Sequence, residues 1–267
     1  MNVDKLKEFV YEGQITWTMT TIGYVKYTLN LVTWLVKSKV PWKLCVICCD
    51  PQSEAFFRRE KVPCVLWKEE GVGRRTQDGM AAFSTPSFSI CNRDKILLLH
   101  WFAENYGLIG ATKSLYLDGD IVVQKDPWPL LDTVLKEIPQ SEANLAFQCD
   151  CFNALDHGGG LICEGCNSPC SGVILTRHVS PSQANIYEWE KDLWVKCDSM
   201  DQPYITKMME LTGTKYKILG RRQFGNGMWQ KSGAWKDGDW TLLHYNYLVS
   251  GSKRTHMKNA EHWLINM

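Results

Sequence analysis

The chain has 267 residues, of which 45% are hydrophobic, and its 30 basic and 29 acidic side chains leave a formal net charge of +1. This length and apolar content are ordinary for a globular protein with one sizeable core. The balanced charge lacks the basic excess that is typical of nucleic-acid-binding proteins, so nucleic acid is not expected as a partner.

The first part of the chain alternates strand-like and helix-like segments. Apolar β-type runs predict strands at 13–21, 44–50 and 62–67, and helical spacing of apolar residues predicts helices from Tyr24 onward and at 52–60. This alternation is typical of a parallel sheet with helices on both faces. In such sheets ligands bind beyond the carboxyl ends of the strands.

The second part of the chain continues the pattern after a segment without periodicity. Residues 68–86 predict a long loop, and the remaining predicted elements are a helix at 91–107 that ends at Gly107, strands at 113–117, 144–150 and 171–177, and one amphipathic helix at 181–197. The apolar face of that last helix would carry Ile186, Trp189 and Leu193. No repeat or linker interrupts the chain, so we expect a single α/β domain.

Two aspartates, Asp118 and Asp120, follow the predicted strand 113–117 and are flanked by apolar residues on both sides. One interpretation is a tight Asp-Gly turn with two solvated charges. The position at the end of a parallel strand favours a second interpretation, in which both carboxylates bind one divalent ion. Oxygen ligands suit Mg²⁺ or Mn²⁺, which keep coordination positions open for phosphate oxygens. The pair therefore predicts a metal-dependent site for a diphosphate.

Further motifs follow in a fixed order, namely "TTIGYVKYTLNLV" at 20–32, "NRDK" at 92–95, "LYLDGDIVVQKDP" at 115–127, "CSGVIL" at 170–175, "DQPYI" at 201–205 and "LLHYNYLVSGSKRTHMK" at 242–258. In this order the chain resembles the GT-A nucleotide-diphospho-sugar glycosyltransferases over nearly its full length. It is most similar to glycosyltransferase family 77 and to the small soluble glycosyltransferases of large algal (chlorella) viruses. The resemblance implies a Rossmann-like, mostly parallel sheet, with a nucleotide-binding half at 1–126 and an acceptor-binding and metal-completing half at 127–267.

The resemblance also implies roles for individual residues on the donor side. Asp120 would be the firmer metal ligand, Asp118 would be shared between metal and ribose, and His244 would complete the metal site. The other residues implied to contact the donor are Thr20, Thr21 and Tyr24 at the nucleoside, Lys95 (or Arg93) toward the donor, and Gly251 and Lys253 at the diphosphate.

The acceptor side follows from the same resemblance. Ser171, Gly172 and Gln202 would contact the sugar or the acceptor, although Cys170 stands where the family usually has Asn. Asp201 would be the catalytic base, since an inverting transfer needs a carboxylate at the acceptor hydroxyl. Two alternatives stay open, because Asp198 or Asp201 could instead cap a helix, and Asp156 or Glu164 could serve as the base. Family 77 is chiefly retaining and the viral relatives suggest inversion.

The eleven cysteines are odd in number, and several lie inside predicted strands. Reduced thiols in a cytoplasmic protein are therefore expected, and the N-terminus and the short apolar run at 31–36 predict neither a signal peptide nor a transmembrane segment. Cys163-x-x-Cys166 has zinc-knuckle spacing, with Cys149 and Cys151 upstream. Because no second Cys-x-x-Cys pair is present, we expect no zinc.

Taken with the resemblance, these patterns predict a metal-dependent glycosyltransferase that uses Mn²⁺ or Mg²⁺. The donor would be a UDP-sugar, with xylose as the suggested sugar, and the acceptor an oligosaccharide or a glycoprotein glycan. One alternative is a haloacid-dehalogenase-type phosphatase that uses Asp118 and Asp120. A second is a non-catalytic sugar-binding module, for which 12 tryptophans offer stacking surfaces.

Overall fold

The computed structural model describes residues 1–67, 85–139, 143–152, 160–163, 165–248 and 250–265. The α-helices in these ranges are α1 Val3–Lys7, α2 Val25–Lys37, α3 Pro51–Arg59, α4 Pro86–Ile109, α5 Trp128–Glu137, α6 Lys191–Lys196, α7 Asp201–Thr212, α8 Gly227–Ser232 and α9 Ser250–Asn259. The strands are β1 Gln14–Thr20, β2 Leu44–Cys48, β3 Cys64–Leu66, β4 Lys113–Leu117, β5 Ile121–Val123, β6 Leu145–Cys149, β7 Pro169–Arg177, β8 Lys217–Leu219, β9 Phe224–Gly225 and β10 Leu242–His244. Pro181–Tyr187 and Ala234–Asp237 are 3-10 helices.

The strands form two sheets. The larger has the order β3-β2-β1-β4-β7-β6-β8, with β1, β2 and β3 mutually parallel, β8 parallel to β6, and β7 antiparallel to β6. The smaller has the order β5-β10-β9. Every residue of β1 and β2 is buried, as expected for strands covered on both faces. The prediction of an α/β fold with a mostly parallel sheet is confirmed.

Local capping explains where the helices begin and end. Asp50 accepts a hydrogen bond from Ser53 N at 2.7 Å and caps α3 directly before Pro51, an arrangement worth about 1 kcal/mol. Thr85 caps α4 in the same way. The predicted stop of that helix at Gly107 was wrong, because Gly110 takes the left-handed conformation (φ 77°) that ends it.

The single helix predicted at 181–197 is also wrong. A 3-10 helix ends at Tyr187, and α6 begins only at Lys191. Between them the Tyr204 hydroxyl donates to the Glu188 carbonyl and accepts from Glu190 N at 2.8 Å. Those backbone groups bond to a side chain from another helix instead of continuing a helical ladder. Because Tyr204 is distant in sequence from Glu188 and Glu190, the spacing of apolar residues gives no sign of this contact.

The chain divides into two compact units. The first comprises 1–25, 42–115 and 178–214, and its core includes Trp17 stacked on Phe102 with ring centroids 4.4 Å apart. The second comprises 26–41, 116–177 and 215–267. In it, Asn30 and Trp34 of α2 both donate to the His262 carbonyl. The functional halves 1–126 and 127–267 stay a prediction, and the loop predicted at 68–86 lies, up to residue 84, outside the described residues.

Among the helices that the structure describes, none is long and apolar enough to cross a bilayer.

Candidate metal and donor site

Strand pairing in the second unit brings the three predicted metal ligands together. Asp118 and Asp120 lie in the turn between β4 and β5, and β10 runs antiparallel to β5 so that His244 is opposite Ile121. His244 Nε2 is therefore 3.6 Å from Asp118 Oδ2 and 3.3 Å from Asp120 Oδ1. One donor atom from each residue lies within 4.8 Å of the others. The predicted grouping of these three side chains is present.

The orientation of the His244 ring follows from a residue that the sequence did not single out. Gln148 Nε2 donates to the backbone carbonyls of Phe224 and Gly225, at 3.2 and 2.7 Å. Its Oε1 is thereby left to accept from His244 Nδ1, at 2.8 Å. With the Nδ1 proton held by Gln148, Nε2 is the ring nitrogen that faces the two carboxylates, and it can bind a metal once its own proton is displaced.

Gly172 of β7 makes room for this cluster. A Cβ at this position would lie 2.1 Å from His244 Cε1 and 2.8 Å from Asp118 Oδ2. The Gly172 carbonyl also accepts from Asp118 N at 2.8 Å, which fixes the backbone before the metal ligands. Any larger residue would displace a ligand, so this glycine has a steric role besides the sugar contact predicted for it.

The negative charges of Asp118 and Asp120 are balanced by His244 and Lys253. Asp120 is buried, and its Oδ2 accepts from Lys253 Nζ while its Oδ1 faces His244. Burial opposes ionisation of Asp120, but Lys253 and His244 outweigh it and hold the pKa of this carboxyl well below its usual range. Burial likewise opposes the charge on His244, yet the Asp120 carboxylate raises its pKa to about 10. Without a metal, two cations therefore neutralise the aspartates.

The donor set fits a divalent ion of the Mg²⁺ or Mn²⁺ type. Two carboxylates and one oriented imidazole converge from β10 and the β4–β5 turn, and Gly172 leaves the space that they need. Carboxylate oxygens suit both ions. Asp118, Asp120 and His244 are thus the residues that would hold the metal.

Metal binding at this cluster should release a proton. Because the pKa of His244 is raised to about 10, its Nε2 carries a proton at neutral pH that a metal must displace. Below that pKa, we expect the Mn²⁺ affinity to increase about tenfold for each unit by which the pH is raised. Calorimetry in two buffers of different ionisation enthalpy should count about one proton released per Mn²⁺. In His244→Asn the release should disappear; a pH-independent affinity of the unmodified protein would contradict the assignment.

The predicted nucleoside-binding residues lie in the first unit, at the end of β1 and in the turn that follows it. Thr20 is buried, and Thr21 and Tyr24 are half-buried in the turn that follows. Asp50 fixes this turn, since its Oδ2 accepts from Ile22 N at 2.9 Å while its Oδ1 caps α3. A carboxylate buried after β2 thus positions the segment that is predicted to contact the nucleoside.

Lys95 and Asp201, also in the first unit, form a buried ion pair with Nζ 2.7 Å from Oδ2. The helix-cap alternative for Asp201 is wrong. Met200 occupies the N-cap position of α7 without a side-chain bond, and Asp201 is the first residue of the helix. The alternative donor contact, Arg93, instead lies with its guanidinium 5.8 Å from the centroid of the Trp189 ring.

The remaining predicted residues are distributed as follows. Ser171 is buried in β7, Gln202 is half-buried in α7, and Gly251 lies in the first turn of α9. The alternative bases Asp156 and Glu164 lie outside the described residues. The predicted roles of all these residues stay predictions.

A second network beside the metal ligands was missed from the sequence. The Asp150 carboxylate accepts from the Tyr247 hydroxyl and from Asn246 Nδ2, the latter at 3.0 Å. Asn246 Oδ1 in turn accepts from Gly227 N. This network fixes the segment after His244 against the end of β6. Asp150, Asn246 and Tyr247 are ordinary polar residues in the sequence, and only the tertiary fold joins them.

Comparison with known proteins decides the family. The family profile described as nucleotide-diphospho-sugar transferase matches residues 42–257, which is most of the chain. The chain belongs to the nucleotide-diphospho-sugar transferases. The predicted membership of a glycosyltransferase family is thereby confirmed, and the haloacid-dehalogenase alternative is set aside. The narrower assignment to family 77 stays a prediction.

Solved structures support the fold assignment. The chain is similar to the glycosyltransferase GlyE of Streptococcus pneumoniae, with 17% identity and a TM-score of 0.55 over 96% of this chain and 61% of that one. It is also similar to the galactosyltransferase LgtC, solved with donor and acceptor sugar analogues, with 14% identity and a TM-score of 0.53 over 93% and 94%. Mouse xyloside xylosyltransferase 1 shares 14% identity with a TM-score of 0.50 over 87% and 97%.

These likenesses confirm the predicted GT-A fold. The chain spans about 61% of the length of GlyE. No curated protein matches the sequence significantly.

Proposed function

We propose that this protein transfers a sugar from a UDP-sugar to a carbohydrate acceptor in glycan synthesis, with Mn²⁺ or Mg²⁺ held by Asp118, Asp120 and His244. The observation that carries the proposal is the convergence of these three side chains within 4.8 Å in a member of the nucleotide-diphospho-sugar transferases. A bound divalent ion would neutralise charge on the departing diphosphate. The free thiols of all eleven cysteines support a cytoplasmic location.

The chain's own residues would act on the donor in two ways. Asp118 is the more exposed of the two aspartates, with 30% of its side chain accessible against 2% for Asp120, so it is the one able to contact ribose as well as metal. Lys253 would move from Asp120 to the diphosphate when the metal and the donor bind. The cation would then stabilise the charge that develops on the leaving group.

On the acceptor side, Asp201 is the proposed base. Its ion pair with Lys95 holds the carboxylate in place, and a positioned carboxylate is the kind of group that accepts a proton from an acceptor hydroxyl. Ser171, Gly172 and Gln202 are proposed to contact the transferred sugar or the acceptor. For the donor sugar, UDP-xylose is the first candidate to test, followed by UDP-sugars of other pentoses and deoxyhexoses.

A donor screen tests the proposal directly. The full chain is incubated with UDP- and GDP-sugars, with and without Mn²⁺ or Mg²⁺, and release of the nucleoside diphosphate is followed before and after addition of oligosaccharide acceptors. Metal-stimulated release from a UDP-sugar, abolished by EDTA, is the expected result. Sugar binding without release would favour the sugar-binding module, and metal-independent release would contradict the metal role of the cluster.

The place of Lys253 gives a further expectation. Lys253→Met should weaken UDP binding in the presence of Mn²⁺ by about 10- to 100-fold, because a hydrogen bond to a charged group contributes roughly 1.5 to 3 kcal/mol. Without donor the same variant should bind Mn²⁺ more tightly, since a cation that competes for Asp120 has been removed. Calorimetric titrations of UDP and of Mn²⁺ measure both changes.

Lys258→Met, an exposed position on the same helix, is the matched control and should leave both affinities unchanged. Equal UDP affinity in Lys253→Met and the unmodified protein would remove Lys253 from the donor site.

A further inference from the structure

A second cluster of ligating side chains lies in the second unit, apart from the aspartates and His244. Cys149 ends β6, Cys151 follows two residues later, and Cys166 precedes β7. Because β6 and β7 are antiparallel, with Cys149 opposite Pro169, the ends of these strands bring the three cysteines together. The Cys166 sulfur lies 3.3 Å from that of Cys149 and 2.8 Å from that of Cys151.

A buried cation contacts one end of this cysteine cluster. Arg221 is buried, with 1% of its surface exposed, and one of its guanidinium nitrogens donates to Cys149 Sγ at 3.2 Å and to the Cys151 carbonyl at 3.0 Å. A buried cation in contact with sulfur stabilises the deprotonated thiol, which is the form that binds a metal.

We propose that Cys149, Cys151 and Cys166 bind a structural zinc ion, with Cys163 as the fourth ligand. Cys163 is buried, and its thiol interacts with that of Cys166. Four thiolates are the commonest set of ligands for structural zinc. A zinc–sulfur bond of about 2.3 Å in a tetrahedron requires sulfur atoms about 3.8 Å apart, so the two short separations would widen by roughly 0.5 to 1 Å.

Zinc explains the cluster better than a disulfide does. Both Cys149 and Cys151 approach the same partner, Cys166, and a disulfide would join only one of them to it and leave the other sulfur without a role. The sequence predicted no zinc because it offered no second Cys-x-x-Cys pair. The fold supplies Cys149-x-Cys151 instead, and two hydrogen bonds from Asn226 Nδ2 to the carbonyls of these residues hold that short loop in place.

The zinc site would stabilise the region next to the aspartates and His244. Gln148, which orients His244, directly precedes Cys149, and Asp150, which bonds to Asn246 and Tyr247, lies between the two upstream cysteines. Ions at the two sites differ in chemistry, since the oxygen-rich site suits Mn²⁺ or Mg²⁺ and the thiolate site suits zinc. This inference does not depend on the proposed function.

Metal analysis tests the zinc proposal. The full chain, purified without chelator, should retain about one zinc per chain after dialysis. Zinc should be lost in Cys149→Ser and in Cys166→Ser but retained in Cys197→Ser, a buried cysteine of the first unit, and in Asp120→Asn, which alters only the oxygen-rich site. Because the serine variants could fail to fold, the unmodified protein is also reconstituted with Co²⁺.

With Co²⁺ bound, the unmodified protein should show the strong near-ultraviolet absorption of a thiolate-to-cobalt charge transfer. The proposal is overturned if neither zinc nor Co²⁺ binds, if Asp120→Asn loses the zinc, or if mass spectrometry of the unreduced protein finds a disulfide between Cys151 and Cys166. Cys163→Ser reports the fourth ligand, and a zinc affinity unchanged in this variant would exclude Cys163.

Discussion

Asp120→Asn is expected to lower metal-dependent sugar transfer by about 10³-fold or more. Asp120 is buried, and its two oxygens face His244 and Lys253. The asparagine side chain keeps the shape of the aspartate but lacks the negative charge that would offset the charge of the metal. A bound metal contributes several kcal/mol to the stabilisation of a transition state, and about 4 kcal/mol corresponds to a factor of 10³ in rate. Initial rates at saturating UDP-sugar, with Mn²⁺ varied, measure the loss.

Two controls separate a catalytic loss from a folding defect. Asp126→Asn changes an aspartate of the same segment, whose carboxylate accepts from Trp128 N at 3.1 Å, and should leave transfer nearly unchanged. Circular dichroism should show that Asp120→Asn keeps its secondary structure. Transfer by Asp120→Asn that remained near normal and still responded to EDTA would place the metal elsewhere.

The strands and the two aspartates could be predicted because their signal is local. Continuous apolar runs predicted β1 and β2, and an Asp-Gly-Asp sequence directly after an apolar strand predicted the carboxylates at its carboxyl end. Both features depend on residues that are near in sequence and on rules for where parallel strands bind ligands. The structure therefore has the two carboxylates where the pattern indicated.

The residues that support the ligands could not be predicted, because their roles arise from strand order. Gln148 orients His244 only because β6 carries it to that ring, and Gly172 is required only because His244 and Asp118 lie against its Cα. The approach of Cys149 to Cys166 depends in the same way on the antiparallel pairing of β6 and β7. None of these contacts leaves a periodic or motif signal in the sequence.

The helix predicted at 181–197 failed for a related reason. Its residues have helical periodicity, but Tyr204, which is distant in sequence, takes two of the backbone hydrogen bonds that the helix would need. Tertiary contacts override local propensity at such positions. The same packing leaves Glu190 to cap α6, so the break is built into the fold.

Asp201→Asn is expected to slow sugar transfer by about 10²- to 10⁴-fold, the range for loss of a general base. The structure removes the helix-cap explanation for this residue and gives it a buried ion pair with Lys95 instead. With this ion pair, Asp201 could either remove the proton itself or only position Lys95. The two roles predict different effects of removing the charge of Lys95.

Kinetics of Asp201→Asn, Lys95→Met and the double variant distinguish these roles. A base predicts a loss in Asp201→Asn far greater than in Lys95→Met, together with an inverted product by NMR. A positioning residue predicts equal losses in the two single variants and no further loss in the double variant, since contacting residues are not additive. Asp198→Asn, an exposed position just before α7, is the matched control and should transfer normally. A product of retained configuration would exclude the base role, because a retaining transfer needs no base on the face opposite the leaving diphosphate.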